Sequence, residues 1–350
     1  MFKNKDKVMI KVLIIDDSPL VRQLLSHLLS DAPDINVVGT AEDPYEAREQ
    51  IKKLHPDVLT LDIEMPKMDG IAFLRNLMKL KPMPVIMIST LTEKGAAVTL
   101  EALSIGAVDF IQKPKSDLTN KLMDYQEELI EKIRFASKSK IRPHTPIPKP
   151  SILSSNFSYS QSKVIAIGAS TGGTEAIQRL ICQLPCDISP IVIAQHIPAA
   201  FSTSFAKRLN KNVSMTVIEA QGGEKLMQGT AYIAPGNAHL IIERKGGSLY
   251  TKLLDTEPVN RHKPSVDVLF DSVAESIGKS ALGVILTGMG KDGAKGLLNM
   301  KEHGSYTLAQ DEASSVVWGM PGAAVEIKAT SEVLHIDRIP PKLLSLLTRH

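Results

Sequence analysis

Short, almost wholly apolar runs punctuate the chain, and most of them end on an acid, a hydroxyl or a glycine. In the first half they are residues 11–17 (KVLIIDD), Ile35–Thr40, Asp57–Asp62 (DVLTLD), Pro84–Thr90 (PVIMIST) and Ala107–Lys113 (AVDFIQK). Runs this short, without polar alternation, read as strands covered on both faces. Ser18 and Pro19 then open a helix, the serine as N-cap and the proline at the first helical position. Pro44–Leu54 reads as a second helix and Leu118–Phe135 as a closing one. Strands and helices alternate five times, which predicts a doubly wound parallel sheet.

The second half repeats the alternation. Val164–Gly173 (VIAIGASTGG) reads as strand then tight turn, and an amphipathic run follows from Thr174 (TEAIQRLICQL). Pro190–Ala194 is a further strand, ending in Gln195 and His196, with a helix over Phe201–Leu209. Thr230–Ala234 and His239–Ile242 are expected to form a strand pair around the Pro235-Gly236-Asn237 turn. A helix is predicted over Ser265–Ile277, then strands at Ala281–Thr287 and Tyr306–Gln310. Between the halves, residues 137–161 carry four prolines, seven serines and no acid. That composition cannot build a core and favours extended chain, so it reads as an interdomain linker.

Composition narrows the class. A chain of 350 residues with 43% hydrophobic and 23% charged content holds two ordinary cores. Lys+Arg at 41 against Asp+Glu at 38 gives no electrostatic argument for nucleic acid, and no helix-turn-helix follows the linker. The two cysteines, Cys182 and Cys186, point to a reducing compartment. Their C-x3-C spacing lacks the partners of a zinc site and reads as two small helix residues. Residues 1–10 lack the apolar stretch of a signal peptide, and no run approaches a membrane span, so a soluble, cytoplasmic protein is expected.

Candidate chemistry gathers where strands end. Asp16, Asp17, Asp62, Ser89 and Lys113 all fall at carboxyl ends of first-half strands, which converge on one crevice in an open parallel sheet. Three carboxylates there repel unless a hard cation sits among them. Mg²⁺ takes one or two carboxylates and leaves room for phosphate oxygens, which a lysine and a hydroxyl can hold. In the second half, Gly168, Ser170 and Gly172 satisfy G-x-S-x-G on a strand-to-helix turn that can lift a serine hydroxyl above the sheet. His196 and Asp292 each lie just beyond another strand end. A serine needs a base to take its proton, imidazole titrates near neutral pH, and a carboxylate fixes the tautomer. Backbone N–H groups at Thr171 or Met289 are candidates for an oxyanion hole. His239 begins a strand, and His262, in NRHKPSVD, is placed to line a substrate cleft. Gly288, Gly290 and Gly293, with Asp311 about twenty residues on, also match a dinucleotide fingerprint. The rival readings are thus a nicotinamide-dependent enzyme, or a non-enzymatic module in which Ser170 binds phosphate.

Over residues 10–130 the chain resembles the receiver domain of two-component response regulators, on the motifs IIDDS, LDIEMPKMDG, MIST and FIQKP. That resemblance implies a flavodoxin-like fold with Asp62 as phosphoacceptor and Asp16, Asp17 and Asp62 as Mg²⁺ ligands. It makes Ser89 the switch hydroxyl, Lys113 the paired lysine and Phe110 the aromatic that rotates on activation. Over residues 162–350, GASTGG, AQHIP, LTGMGKDGA and QDEAS…WGMPGA resemble the catalytic domain of chemotaxis protein-glutamate methylesterases, the CheB family. The implied triad is Ser170, His196 and Asp292 on a Rossmann-like three-layer sheet, with Thr171 beside the nucleophile and Met289 at the oxyanion hole. The implied activity is hydrolysis of glutamate γ-methyl esters on chemoreceptors and deamidation of receptor glutamines, with no cofactor for the hydrolysis. The implied partners are methyl-accepting chemoreceptors and a chemotaxis histidine kinase as phosphodonor, with membrane contact through receptors only. With two domains on one tether, the unphosphorylated receiver is expected to cover the Ser170 cleft until Asp62 is phosphorylated.

Overall fold

The computed structural model describes residues 9–65, 69–90, 92–113, 122–139 and 163–348. These fall into two separate compact units, the first ending in the helix that closes at Lys138 and the second opening with the strand at Val164.

In the first unit β1 (Ile10–Ile15), β2 (Ile35–Ala41), β3 (Val58–Asp62), β4 (Val85–Ser89) and β5 (Asp109–Gln112) form a parallel sheet in the order β2-β1-β3-β4-β5. The connecting helices are α1 (Pro19–Ser30), α2 (Pro44–Leu54), α3 (Gly70–Leu80), α4 (Glu93–Ile105) and α5 (Leu122–Lys138). The first four begin on a short polar cap, as the sequence dictates. Ser18, Asp43, Asp69 and Thr92 each accept a backbone N–H of the first turn. The central strands β3 and β4 are buried along their whole length and end in Asp62 and Ser89 at the crevice. This is the 2-1-3-4-5 doubly wound order, with the crevice where the order reverses. The motif residues 66–68 and the expected helix start at Leu118 lie outside the described residues, as does most of the expected linker, 140–161. The first two linker residues, Ser137 and Lys138, are the last turn of α5.

In the second unit the strands are β6 (Val164–Ala169), β7 (Ile191–Gln195), β8 (Thr216–Glu219), β9 (Thr230–Ile233), β10 (His239–Lys245), β11 (Ser248–Leu254), β12 (Ala281–Ile285), β13 (Tyr306–Gln310) and β14 (Glu332–Leu334). The helices are α6 (Gly173–Ile181), α7 (Ala199–Asn212), α8 (Val266–Ile277), α9 (Ala294–Glu302), α10 (Met320–Glu326) and α11 (Ile339–Leu347). Seven strands make a parallel sheet in the order β14-β13-β12-β6-β7-β9-β8. The chain leaves β6 toward β7 on one side and later returns to place β12 on the other. β6 therefore stands at the switch point, and the loops after β6, β7 and β12 share its crevice.

One sequence expectation is corrected. Thr230–Ala234 and His239–Ile242 are not partners. β9 lies inside the parallel sheet between β7 and β8, and β10 pairs antiparallel with β11 as a separate hairpin. Gly236 is a glycine for close approach, not for a hairpin turn. A Cβ there would lie 2.3 Å from Ala199 N and 2.4 Å from Ile197 O, where the chain enters α7.

The packing of α8 positions the site. Val266, Leu269, Phe270 and Val273 are buried in the core shared with Val164 and Ala166 of β6. Gly168 permits this, because a Cβ there would sit 2.1 Å from Val266 Cγ1 and 3.1 Å from Phe270 Cζ. Gly293 does the same from the other side at 2.4 Å from Val266 Cγ1, and its φ of +87 is one that glycine adopts freely. Gly168→Ala is therefore expected to destabilise the full chain by about 1–3 kcal/mol through overpacking, read as a lower denaturation midpoint.

Candidate active site

Ser170 follows β6 directly. Its backbone N–H donates to Thr287 O beyond β12 (3.1 Å), and its carbonyl accepts Gln195 Nε2 from the end of β7 (2.9 Å). The residue is thus tied to both flanking strands. Gln195, which sequence reasoning left as the end of a strand, also donates to His196 O at 3.1 Å, and His196 N–H donates to Ala169 O at 3.1 Å. These bonds seat Ser170 and His196 at neighbouring strand ends.

The loop after β12 closes on Ser170 from the other side. A Cβ at Gly288 would lie 2.8 Å from Ser170 Cβ and 2.2 Å from Met320 Sδ, so only glycine fits. Gly288 N–H donates to Val317 O, and its carbonyl accepts Gly319 and Met320 N–H. Thr287 is fixed by Gln310, whose Oε1 accepts its N–H, and its hydroxyl lies 3.0 Å from Thr171 O. The WGMPGA segment therefore braces the loop that carries Met289. Thr171 is buried and Met289 is half-buried, and both lie within one residue of the Ser170–Gly288 contact.

Asp292 is 2% exposed, yet its carboxylate is fully provided with donors. Oδ2 accepts His196 Nε2 at 2.8 Å and Val266 N–H at 2.6 Å. Oδ1 accepts Asn260 Nδ2 at 2.7 Å, Ser265 Oγ at 2.8 Å and Asp267 N–H at 3.3 Å. The carboxylate thus caps the N-terminus of α8, where free N–H groups and the helix dipole favour an anion. Burial alone would raise its pKa, but the bonds from His196, Asn260 and Val266 outweigh it and hold the carboxyl well below the usual carboxylate range.

His196 gives Asp292 its Nε2, which leaves Nδ1 as the other ring nitrogen. Nδ1 is buried and has no hydrogen-bond partner among the described residues. The His262 ring lies against the His196 ring, with centroids 3.7 Å apart and planes 16° from parallel. His239 is a different case. Its Nδ1 accepts Ser265 N–H and its Nε2 faces Glu257 O, so both nitrogens serve the structure at the start of α8. Asp311, the acid of the dinucleotide fingerprint, accepts Ser314 N–H and Oγ and caps a turn. Gly288 and Gly293 are accounted for by close packing on Ser170 and Val266.

In the first unit Asp16 and Asp62 are buried and Asp17 is exposed, and one oxygen of each lies within 4.8 Å of the others. Lys113 Nζ donates to Asp62 Oδ2 at 2.9 Å and lies 3.3 Å from Asp16 Oδ2. The Asp16 contact lacks hydrogen-bond geometry, so this buried oxygen has no hydrogen-bond partner among the described residues. Burial, together with the Asp16 charge and against the pull of Lys113, pushes the Asp62 pKa up to about 6. A crowded carboxylate set with one orphaned oxygen fits a hard divalent cation bound through oxygens. Ser89 is buried beside it, its Oγ 2.6 Å from Thr99 Oγ1, and Phe110 is buried on β5. A cavity of about 450 Å³ opens from Asp62 past Ser89, Thr90 and Lys94.

Comparison with known proteins bears on both units. A family model described as CheB methylesterase matches residues 165–343, and one described as response regulator receiver domain matches residues 12–123. The protein-glutamate methylesterase/protein-glutamine glutaminase of Hydrogenovibrio crunogenus is 51% identical over 373 residues, spanning 97% of this chain and 99% of that protein. Its namesake from Methylobacillus flagellatus is 52% identical over 343 residues, spanning 97% of each. Among solved structures, the CheB methylesterase catalytic domain of Thermotoga maritima matches with a TM-score of 0.52 at 39% identity, covering 53% of this chain and 98% of that one. The chain therefore belongs to the CheB methylesterase family, with a response-regulator receiver domain preceding the methylesterase domain.

Proposed function

We propose that this chain hydrolyses glutamate γ-methyl esters on chemoreceptors, releasing methanol, and deamidates receptor glutamines by the same steps. The observation that carries the reading is the buried Asp292–His196 pair at 2.8 Å beside Ser170, at the switch point of a parallel sheet. Ser170 Oγ attacks the ester carbonyl while His196 Nδ1 takes its proton. Asp292, kept charged by its donors, holds the ring by Nε2 and stabilises the imidazolium. The oxyanion is received by backbone N–H groups of Thr171 and Met289. When the tetrahedral species collapses, the C–O bond to methoxide breaks and His196 returns the proton, giving methanol and an acyl-serine. Water, deprotonated by the same nitrogen, then frees the glutamate and restores Ser170. With a glutamine substrate the leaving group is ammonia. The hydrolysis needs no cofactor.

Control falls to the receiver, for which we propose residues 10–130, joined through a linker to a catalytic domain over 162–350. A chemotaxis histidine kinase supplies the phosphoryl group to Asp62. Asp16, Asp17 and Asp62 would hold Mg²⁺, which when bound offsets the charge gathered at the acceptor. Lys113 and Ser89 would hold the phosphoryl oxygens, with Phe110 following the Ser89 shift. Phosphorylation releases a restraint that the receiver places on Ser170. The enzyme is cytoplasmic, meets the membrane only through its receptors and does not bind nucleic acid. Among the described residues no helix is long and apolar enough to cross a membrane.

Methanol release from methylated receptor membranes tests the chemistry. Ser170→Ala is expected to lower kcat by at least about 10³-fold, and retained turnover would refute the nucleophile. Asp292→Asn is expected to lower kcat by roughly 10³–10⁴-fold. It should also lower stability by about 2–4 kcal/mol in denaturant titrations near neutral pH, since an amide N–H₂ then faces α8 donors. The Asp292 pKa is depressed, so this stability difference should be full above pH 4 and shrink as pH falls further. Finally, a small phosphodonor should accelerate the wild type. Asp62→Asn, or chelation of divalent cations, should remove the acceleration and leave the unstimulated rate in place.

A further inference from the structure

His262 reaches the site on a turn whose backbone is unusual. Val259 and His262 exchange both backbone hydrogen bonds, at 3.1 and 2.9 Å, across a two-residue turn. Its central residues, Asn260 and Arg261, have φ of +52 and +67. Two consecutive positive φ values define a type I′ turn, which favours Asn at the first position and Gly at the second. An arginine in that second place is strained. Strain of this kind persists where surrounding contacts over-determine the backbone.

Two of those contacts lead to the His196–Asp292 pair. On one side of the turn Asn260 Nδ2 donates to Asp292 Oδ1 at 2.7 Å and to Asp267 Oδ2 at 2.8 Å. At its end the His262 ring lies flat on the His196 ring at 3.7 Å. One short turn thus touches both members of the pair, the carboxylate by a hydrogen bond and the imidazole by its face. The Asp292–Nε2 bond fixes one point of the His196 ring but leaves it free to swing about that bond. A flat partner on the ring face removes that freedom and holds Nδ1 in one place.

We propose that His262 is a positioning residue: its ring is the platform that holds His196 with Nδ1 as the base nitrogen, and the strained Asn260–Arg261 turn sets that platform in place. The proposal rests on the reading of His196 as the base for Ser170. What His262 supplies is a flat aromatic face, so Phe should replace it while non-aromatic side chains should not.

The test compares His262→Ala, His262→Gln and His262→Phe in the full chain. Two readouts are used: methanol release from methylated receptor membranes, and the rate at which a fluorophosphonate labels Ser170, followed by mass spectrometry. Ala and Gln are expected to lower kcat and the labelling rate by about 10- to 100-fold, the scale of a small misplacement of a catalytic group, with KM unchanged within about 2-fold. Phe is expected to recover both rates to within about 3-fold of wild type, which loss of folding in the Ala variant would not mimic. Should Ala not fold, the contrast between Gln and Phe decides. Wild-type rates in both Ala and Gln, or a Phe variant as slow as Gln, would overturn the platform. Wild-type chain that takes the label but releases no methanol would refute the esterase reading, while the labelling rates would still judge His262. A Ser170 that takes no label in the wild type would overturn both.

Discussion

A carboxylate with 2% of its surface exposed must either find donors for its oxygens or take up a proton. Asp292 finds donors on two elements and a turn: the first N–H groups of α8, the Ser265 hydroxyl that caps that helix, the Asn260 amide and the His196 ring. Much of the second unit follows from supplying them. α8 must descend on β6 closely enough to offer Val266 N–H, and Gly168 and Gly293 leave the space for it. The 259–262 turn must adopt a backbone that an arginine resists in order to deliver Asn260. His239 is buried at the start of β10, and its Nδ1 ties Ser265 N–H to that strand. The imidazole is then the last donor of a set that the fold has already assembled.

Both units put chemistry at the same place, the carboxyl ends of parallel strands, and tune their buried aspartates in opposite directions. Asp292 has several donors and its carboxyl is held well below the usual carboxylate range. Asp62 has Lys113, one backbone N–H and a neighbouring carboxylate, and its pKa is pushed up to about 6. Asp292 meets donors on every side, whereas Asp16, Asp17 and Asp62 crowd around one lysine, a concentration of negative charge that a divalent cation would relieve. Burial is common to both; the donors and neighbouring charges decide the sign.

The apolar runs made most of the strands legible, because a strand covered on both faces has little choice of residue. Their ends located Asp16, Asp62, Ser89, Lys113, Ser170, His196 and Asp292, since in a parallel sheet each end is also an address. Pairing was less legible. β9 and β10 flank a Pro-Gly-Asn sequence that matches a hairpin, but Gly236 is there to let the chain pass the entry to α7. β8 and β11 gave no strong signal, being a four-residue edge strand and one strand of a small separate hairpin. The roles of Gln195, Asn260 and Gln310 lay beyond reach for another reason. They depend on contacts between residues far apart in the chain, which no periodicity encodes. The choice of ring nitrogen on His196 is of the same kind.

That choice is also the point at which the account is most exposed. If Asp292 anchors the imidazole through Nε2, neutral His196 must carry its proton on Nε2 and leave Nδ1 bare for Ser170. Nitrogen NMR of the full chain with labelled histidine, with the His196 signals assigned by comparison with His196→Gln, reads this directly in the neutral form of the ring. The account predicts a protonated Nε2 and an unprotonated Nδ1. A neutral ring with its proton on Nδ1 would contradict it, because the bare nitrogen would then be the one turned toward Asp292.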